Sequence, residues 1–286
     1  MQIGRPSRST WTRLAITGAV FGITSSLCST PLLAQGTAVK RPPGAPDISK
    51  LPKSPKVPET FEGLFAERDA RAEAALGYLR CLQGTVSALR SGALGQVPRE
   101  WSITCVEQGR EWRGVFGKLT DGGIDVRLQY AFRGAGGVLT TDRIDTARVN
   151  GTARALLRGL SAPFPGAGTY EFTPVPLPQP TFLEVWFLPL PGSPARIVVG
   201  GDSLIQMTSD GGRELGHSRS TPPMRIVTGP VSGATWNLES IEERIPAVSE
   251  LMVARMALDV VPEVRVRSRQ YESVLTRSGR WTHQRR

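Results

Sequence analysis

The chain has 286 residues, 40% of them hydrophobic, with 35 basic and 25 acidic side chains, a formal net charge of +10 and three cysteines. About 225 residues from Thr60 to Arg286 suffice for one domain with a sizeable core. The basic excess is confined to the ends: three Arg and no acid in residues 1–34, five bases and Asp47 in 35–58, 20 bases against 23 acids in 59–264, and seven Arg with Glu272 in 265–286. A nearly balanced body argues against specific nucleic-acid binding over the whole surface and leaves only the ends as places for an anionic partner.

Residues 1–34 are ordered as a secretory signal peptide. Arg5, Arg8 and Arg13 precede the uncharged run LAITGAVFGITSSL, and the small Ala34 marks a cut site after it, with Leu32 at minus three larger than the usual small residue. An uncleaved anchor over Leu14–Ala34 is the rival reading, since that length is about enough to span a bilayer. Cys28 invites a lipoprotein site, which the bulky Leu27 before it opposes. The expectation is therefore an exported protein, periplasmic or extracellular, with no transmembrane span once the signal is removed. Residues 35–59 hold Pro42, Pro43, Pro46, Pro52, Pro55 and Pro58 and few apolar side chains, which predicts an extended basic tether.

Folded structure is expected over 60–286. From Thr60 to Ser91, Phe61, Leu64, Phe65, Ala72, Ala75, Leu76, Leu79, Leu82, Val86 and Leu89 recur at three- and four-residue steps, which predicts a long helix capped by Thr60 and ended by Gly92. Cys81 falls within it and Cys105 in a following strand with Trp101 and Ile103. An even pair in an exported chain predicts one disulfide between them. Beyond Gly95 the runs GVFGKLTDGGIDVRLQYAF, ARIVVGGDSLIQMTSDGGREL and VRSRQYESVLTRSGRWT join apolar alternation to Gly-bearing turns, as antiparallel hairpins do. Shorter helices are expected at Thr152–Leu160 and Ala247–Leu258. The prolines of PVPLPQP predict an exposed polyproline connection, because alternating prolines cannot join a central ladder. The fold class read from these elements is α+β: a single domain with a mostly antiparallel, twisted sheet and the long N-terminal helix packed on it.

Inside the second hairpin run, Gly201-Asp202-Ser203-Leu204 matches the GDSL signature of a large family of serine esterases and lipases. The resemblance implies a nucleophilic Ser203 activated by a histidine held by an acid. It covers four residues. In that family the motif lies near the start of the domain and a helix follows it, whereas here only 82 residues remain and Ile205 to Ser209 alternate like a strand. His283 has Arg280 where the family has Asp, and His217 follows Glu214 only 14 residues after the serine. Structurally, Gly200 and Gly201 read as a turn, with Asp202 and Ser203 satisfying local amides. Asp210, Glu214 and His217 match no metal-loop spacing, and no phosphate- or dinucleotide-binding glycine fingerprint is present, so no metal or cofactor is expected. The carboxylate pairs Asp142 with Asp145, and Glu239 with Glu242 and Glu243, carry no assignable role.

At the C-terminus, strand alternation in VRVRSRQ puts Arg265, Arg267 and Arg269 on one face, followed by Arg277 and Arg280. Two explanations stand: a basic stripe for an anionic polymer, or an outward strand face charged to discourage edge pairing. The function read from the sequence is a non-catalytic exported binding or scaffolding protein of the cell envelope, with an envelope protein or anionic envelope polymer as partner. A serine hydrolase using Ser203 and a polyanion-binding module using the arginine stripe are the alternatives.

Overall fold

The computed structural model describes residues 60–91, 101–109, 111–120, 122–133, 136–161, 172–189, 196–219, 224–240, 242 and 244–286. The expected signal peptide and tether lie outside the described residues.

Helix α1 (Phe61–Ser91) starts where the sequence places it, with Thr60 Oγ1 accepting the Gly63 amide at 3.2 Å. Its Gly77, Cys81 and Gly84 share one face, because four- and seven-residue steps return to the same side of a helix. That bare face lies directly on the first sheet: a Cβ at Gly77 or Gly84 would be driven into the ring of Trp112 or Phe132. The sheet is an antiparallel meander of β1 (Trp101–Gln108), β2 (Glu111–Thr120), β3 (Gly123–Arg133) and β4 (Gly136–Leu139). The expected disulfide joins Cys81 of α1 to Cys105 of β1, with Cα atoms 6.2 Å apart.

Helix α2 (Thr146–Ser161) begins six residues before the predicted Thr152, with Asp145 Oδ1 accepting the Arg148 amide at 3.0 Å as its N-terminal cap. Gly151 is inside α2, where its missing side chain admits the backbone of the Ser209–Asp210 turn. The helix is sandwiched: Val149 and Ala153 pack on Val106, Val115 and Ile124 of the first sheet, and Ala155 packs on Leu183, Val185, Phe187, Ile205 and Met207 of the second.

The second sheet has the order β5 (Phe172–Pro178), β6 (Phe182–Pro189), β8 (Ser203–Thr208), β9 (Glu214–Arg219), all antiparallel. Here the polyproline expectation is corrected. PVPLP is edge strand β5, with Val175, Pro176 and Leu177 buried. Prolines at 174, 176 and 178 are two apart, so their missing N–H groups all fall on the outer edge, leaving Thr173, Val175 and Leu177 to pair with β6. The prolines thereby close that edge to further strands.

Strand β7 (Ile197–Val199) leaves this sheet and forms a two-stranded ribbon with β10 (Arg225–Val227). The chain continues through β11 (Trp236–Glu239), α3 (Val248–Ala257), β12 (Glu263–Arg267), β13 (Tyr271–Thr276) and β14 (Trp281–Arg285). In the third sheet β11 runs parallel to β12, and β12, β13 and β14 form an antiparallel meander. Among the described residues the architecture is thus mixed α and β, with a long N-terminal helix and three antiparallel-rich sheets plus a ribbon, in place of the one sheet expected. The division follows from the helices. Nine of the ten residues of α3 are buried, so this helix needs cover on every side and not one apolar stripe on one sheet. It lies against α1, β11, β12 and the ribbon, in a core that includes Leu251, Met252, Val253, Trp236, Leu238, Val264 and Val266.

Candidate functional site

The tetrapeptide begins with two glycines in the left-handed region, Gly200 at φ +79° and Gly201 at φ +69°, which turn the chain from β7 into β8. The reason for that turn lies 47 residues away. Helix α3 is preceded by Ala247, whose side chain has no acceptor for the unsatisfied amides of a first helical turn. Asp202 supplies it: Oδ2 accepts the Ser249 amide at 2.9 Å, while the Gly200 amide donates to Ser249 Oγ at 2.8 Å. The two bonds form a reciprocal clasp between the β7–β8 turn and the helix.

A second carboxylate completes the helix end. Glu250 is fully buried, with Oε2 accepting the Ala247 amide at 2.9 Å and Ser240 Oγ–H at 2.6 Å, and Oε1 accepting Arg225 Nη2 at 2.8 Å. Arg225 also donates to the Glu239 carbonyl. A third, Glu242, lies 3.8 Å from Arg68, whose Nη1 donates to the carbonyls of Ile245 and Pro246 at 2.8 and 3.1 Å. Burial, reinforced by Glu250, raises the Glu242 carboxyl above its ordinary value, against the pull of Arg68. Burial dominates at Asp202 too and, with the nearby Glu250, pushes it up to about 6, against the hydrogen bonds from Ser249 and the charge of Arg68. Asp202 Oδ1 meets no donor among the described residues.

Ser203 is the first residue of β8, opposite Phe187 on one side and Arg219 on the other. His217 stands opposite Ile205 on β9, so Ser203 and His217 share a face on the diagonal of the two strands. His217 Nδ1 lies 3.0 Å from Glu214 Oε1, and its side chain is 79% exposed. Among the described residues no hydrogen bond joins Ser203 to His217. His283 belongs to β14, with Nδ1 2.9 Å from Ser273 Oγ and its ring edge-on to Phe65, and burial lowers its affinity for a proton. Neither imidazole is hydrogen-bonded to the serine, so the arrangement lacks the base contact that nucleophilic catalysis requires.

The arginines fall in three places. Arg265 and Arg267 project from β12 onto a face that carries carboxylates from both neighbouring strands. Arg265 lies 2.8 Å from Glu263 and 3.6 Å from Glu272; Arg267 lies 3.4 Å from Glu272 and 3.5 Å from Glu239. Arg269 falls beyond the end of the strand, in the bend before β13, with its amide directed to the Glu242 carbonyl at 3.5 Å. Arg277 and Arg280 flank the β13–β14 turn around Gly279 (φ +76°), both exposed and without an ion pair among the described residues. Glu239 was invisible as a partner of Arg267 because the two meet through the parallel β11–β12 register, 28 residues apart.

Sequence reasoning also missed Glu184, which is 1% exposed within the apolar strand β6. Arg71 of α1 grips it through Nε (2.8 Å) and Nη2 (2.9 Å), and Trp186 Nε1 donates to it at 2.8 Å. Asp142 binds Arg113 at 3.2 Å and Asp145 caps α2, while Glu243 lies outside the described residues. Among the described residues no group of His, Cys, Asp and Glu is arranged to hold a metal ion, and no helix is long and apolar enough to cross a membrane. No protein-family model, no curated protein and no solved structure matches the chain.

Proposed function

We propose that the chain is an exported, non-catalytic binding or scaffolding protein of the cell envelope. The observation that carries this reading is the use of Asp202: the acid of the only catalytic-looking motif is buried as the cap of α3, and the serine after it enters a strand. A buried disulfide between α1 and β1 suits an oxidising compartment outside the cytoplasm. A second reading, contact with an anionic envelope polymer, is favoured by one feature, the exposed pair Arg277 and Arg280 at a hairpin tip. It draws nothing from Arg265 and Arg267, whose charges face Glu239, Glu263 and Glu272.

The test is cosedimentation of residues 35–286 with isolated envelopes across a salt series, beside labelling with a serine-directed fluorophosphonate. Salt-resistant binding to envelopes without labelling is the expected result. Binding that falls steeply with salt and is lost in Arg277→Gln/Arg280→Gln, but kept in Arg265→Gln/Arg267→Gln, would establish the anionic polymer as partner. Labelling that Ser203→Ala abolishes would overturn the non-catalytic reading.

A further inference from the structure

The N-terminus of α3 gathers three carboxylates, and two of them have an ion-pair partner. Glu250 has Arg225 at 2.8 Å, and Glu242 has Arg68 at 3.8 Å. Asp202 is 1% exposed and has neither: among the described residues it forms no ion pair, and its Oδ1 has no donor. The charged groups that act on it are Glu250 from α3 and Arg68 from α1, whose own ion-pair partners are Arg225 from β10 and Glu242 from the segment before α3. An ionised carboxylate left so poorly compensated is costly in an interior, whereas its neutral form is not. The residue also sits at a mechanical junction. Two glycines in the left-handed region precede it, the β7–β10 ribbon lies on one side and the second sheet on the other, and the reciprocal bonds to Ser249 are what fasten this turn to α3.

We propose that the clasp between the β7–β8 turn and the α3 N-terminus is a proton-operated latch: Asp202 binds a proton as the surroundings turn mildly acidic, and the turn then grips the helix more firmly. The proton adds to one carboxylate oxygen and takes the group from −1 to neutral, removing both the buried charge and its repulsion by Glu250. Opening the latch returns Asp202 to water and to an ordinary carboxyl affinity. The carboxyl is raised to about 6 in the closed state, so the added stability is complete below the ordinary value of 3.8 and is lost as pH rises through about 6. The latch is closed in acid and loosened at neutral and alkaline pH.

Hydrogen exchange of the full chain between pH 5 and 8, corrected for the intrinsic rate, reads this directly in the segments 197–204 and 247–252. The expected result is an opening equilibrium about tenfold smaller at pH 5 than at pH 8. Asp202→Asn, which keeps an acceptor for the Ser249 amide, should show no such dependence. Glu250→Gln should keep the dependence and move its midpoint to lower pH, since a neighbouring negative charge is gone. Protection that is unchanged between pH 5 and 8 in the parent chain, or equally pH-dependent in Asp202→Asn, would overturn the latch. Should Asp202→Asn fail to fold, an unmoved midpoint in Glu250→Gln overturns it alone.

Discussion

Two carboxylates, Glu184 and Asp202, are each 1% exposed, and the chain surrounds them in opposite ways. Glu184 lies where α1 crosses the second sheet and receives a two-pronged guanidinium and an indole N–H, with Arg71 also 5.9 Å over the Trp186 ring. The contact is reciprocal, since the hydrogen bond to Glu184 is the main cause that holds the Arg71 guanidinium above its ordinary proton affinity. Asp202 lies at the α3 N-terminus with backbone and hydroxyl partners only and another carboxylate nearby. The two acids are equally buried and differ in whether a cation is in contact with the carboxylate. One site fastens a helix to a sheet with an ion pair, and the other fastens a helix to a turn with a titratable cap.

Removing the cation from the first site should have the largest effect. Arg71→Ala leaves Glu184 buried without its partner and should lower stability by about 3–5 kcal/mol in urea denaturation. The double change Arg71→Met with Glu184→Leu should recover most of the loss, because an apolar pair needs no compensation there. If the double variant is no better than Arg71→Ala alone, the pair holds the crossing by its geometry and not by its charge. The other fastening of α1 offers a calibration. Replacing both Cys81 and Cys105 by Ser should cost about 3 kcal/mol, chiefly by freeing the unfolded chain, and the same denaturation experiment measures it.

The second site should respond with the opposite sign. Asp202→Asn should raise stability at pH 8 by roughly 1–3 kcal/mol, since a buried charge is no longer formed, and should change little at pH 4. A loss at both pH values would mean that the negative charge at the helix end matters more than its burial. Ser203→Ala, one residue away, should change stability by no more than about 0.5 kcal/mol and leave envelope binding intact. A large effect there would separate the serine from the structural role of its neighbour.

What could be read from the sequence was local. The periodicity of Phe61 to Leu89 marked α1, the Gly-bearing turns marked the β2–β3, β8–β9 and β13–β14 hairpins, and the cysteine pair was joined as expected. In each case the partners lie close along the chain or follow one period. The failures are contacts across sequence distance. Nothing near Asp202 signals that Ala247, 45 residues on, lacks a cap. Nothing near Arg267 announces Glu239, because the two meet only when β11 and β12 align in parallel across α3. PVPLP was misread for a different reason: its prolines forbid a central strand and not an edge strand, and only the register tells which edge they occupy. The division into three sheets was hidden because alternation identifies strands without saying which helix will separate them.

The comparison of the two buried acids rests on whether Asp202 holds a proton in the folded protein, and a carboxyl-carbon NMR titration of the chain labelled at aspartate reads this without perturbing the clasp. The account predicts that the Asp202 resonance, assigned by its loss in Asp202→Asn, titrates with a midpoint near 6. A midpoint at or below the ordinary aspartate value of 3.8 would contradict it and make the cap a permanently charged one.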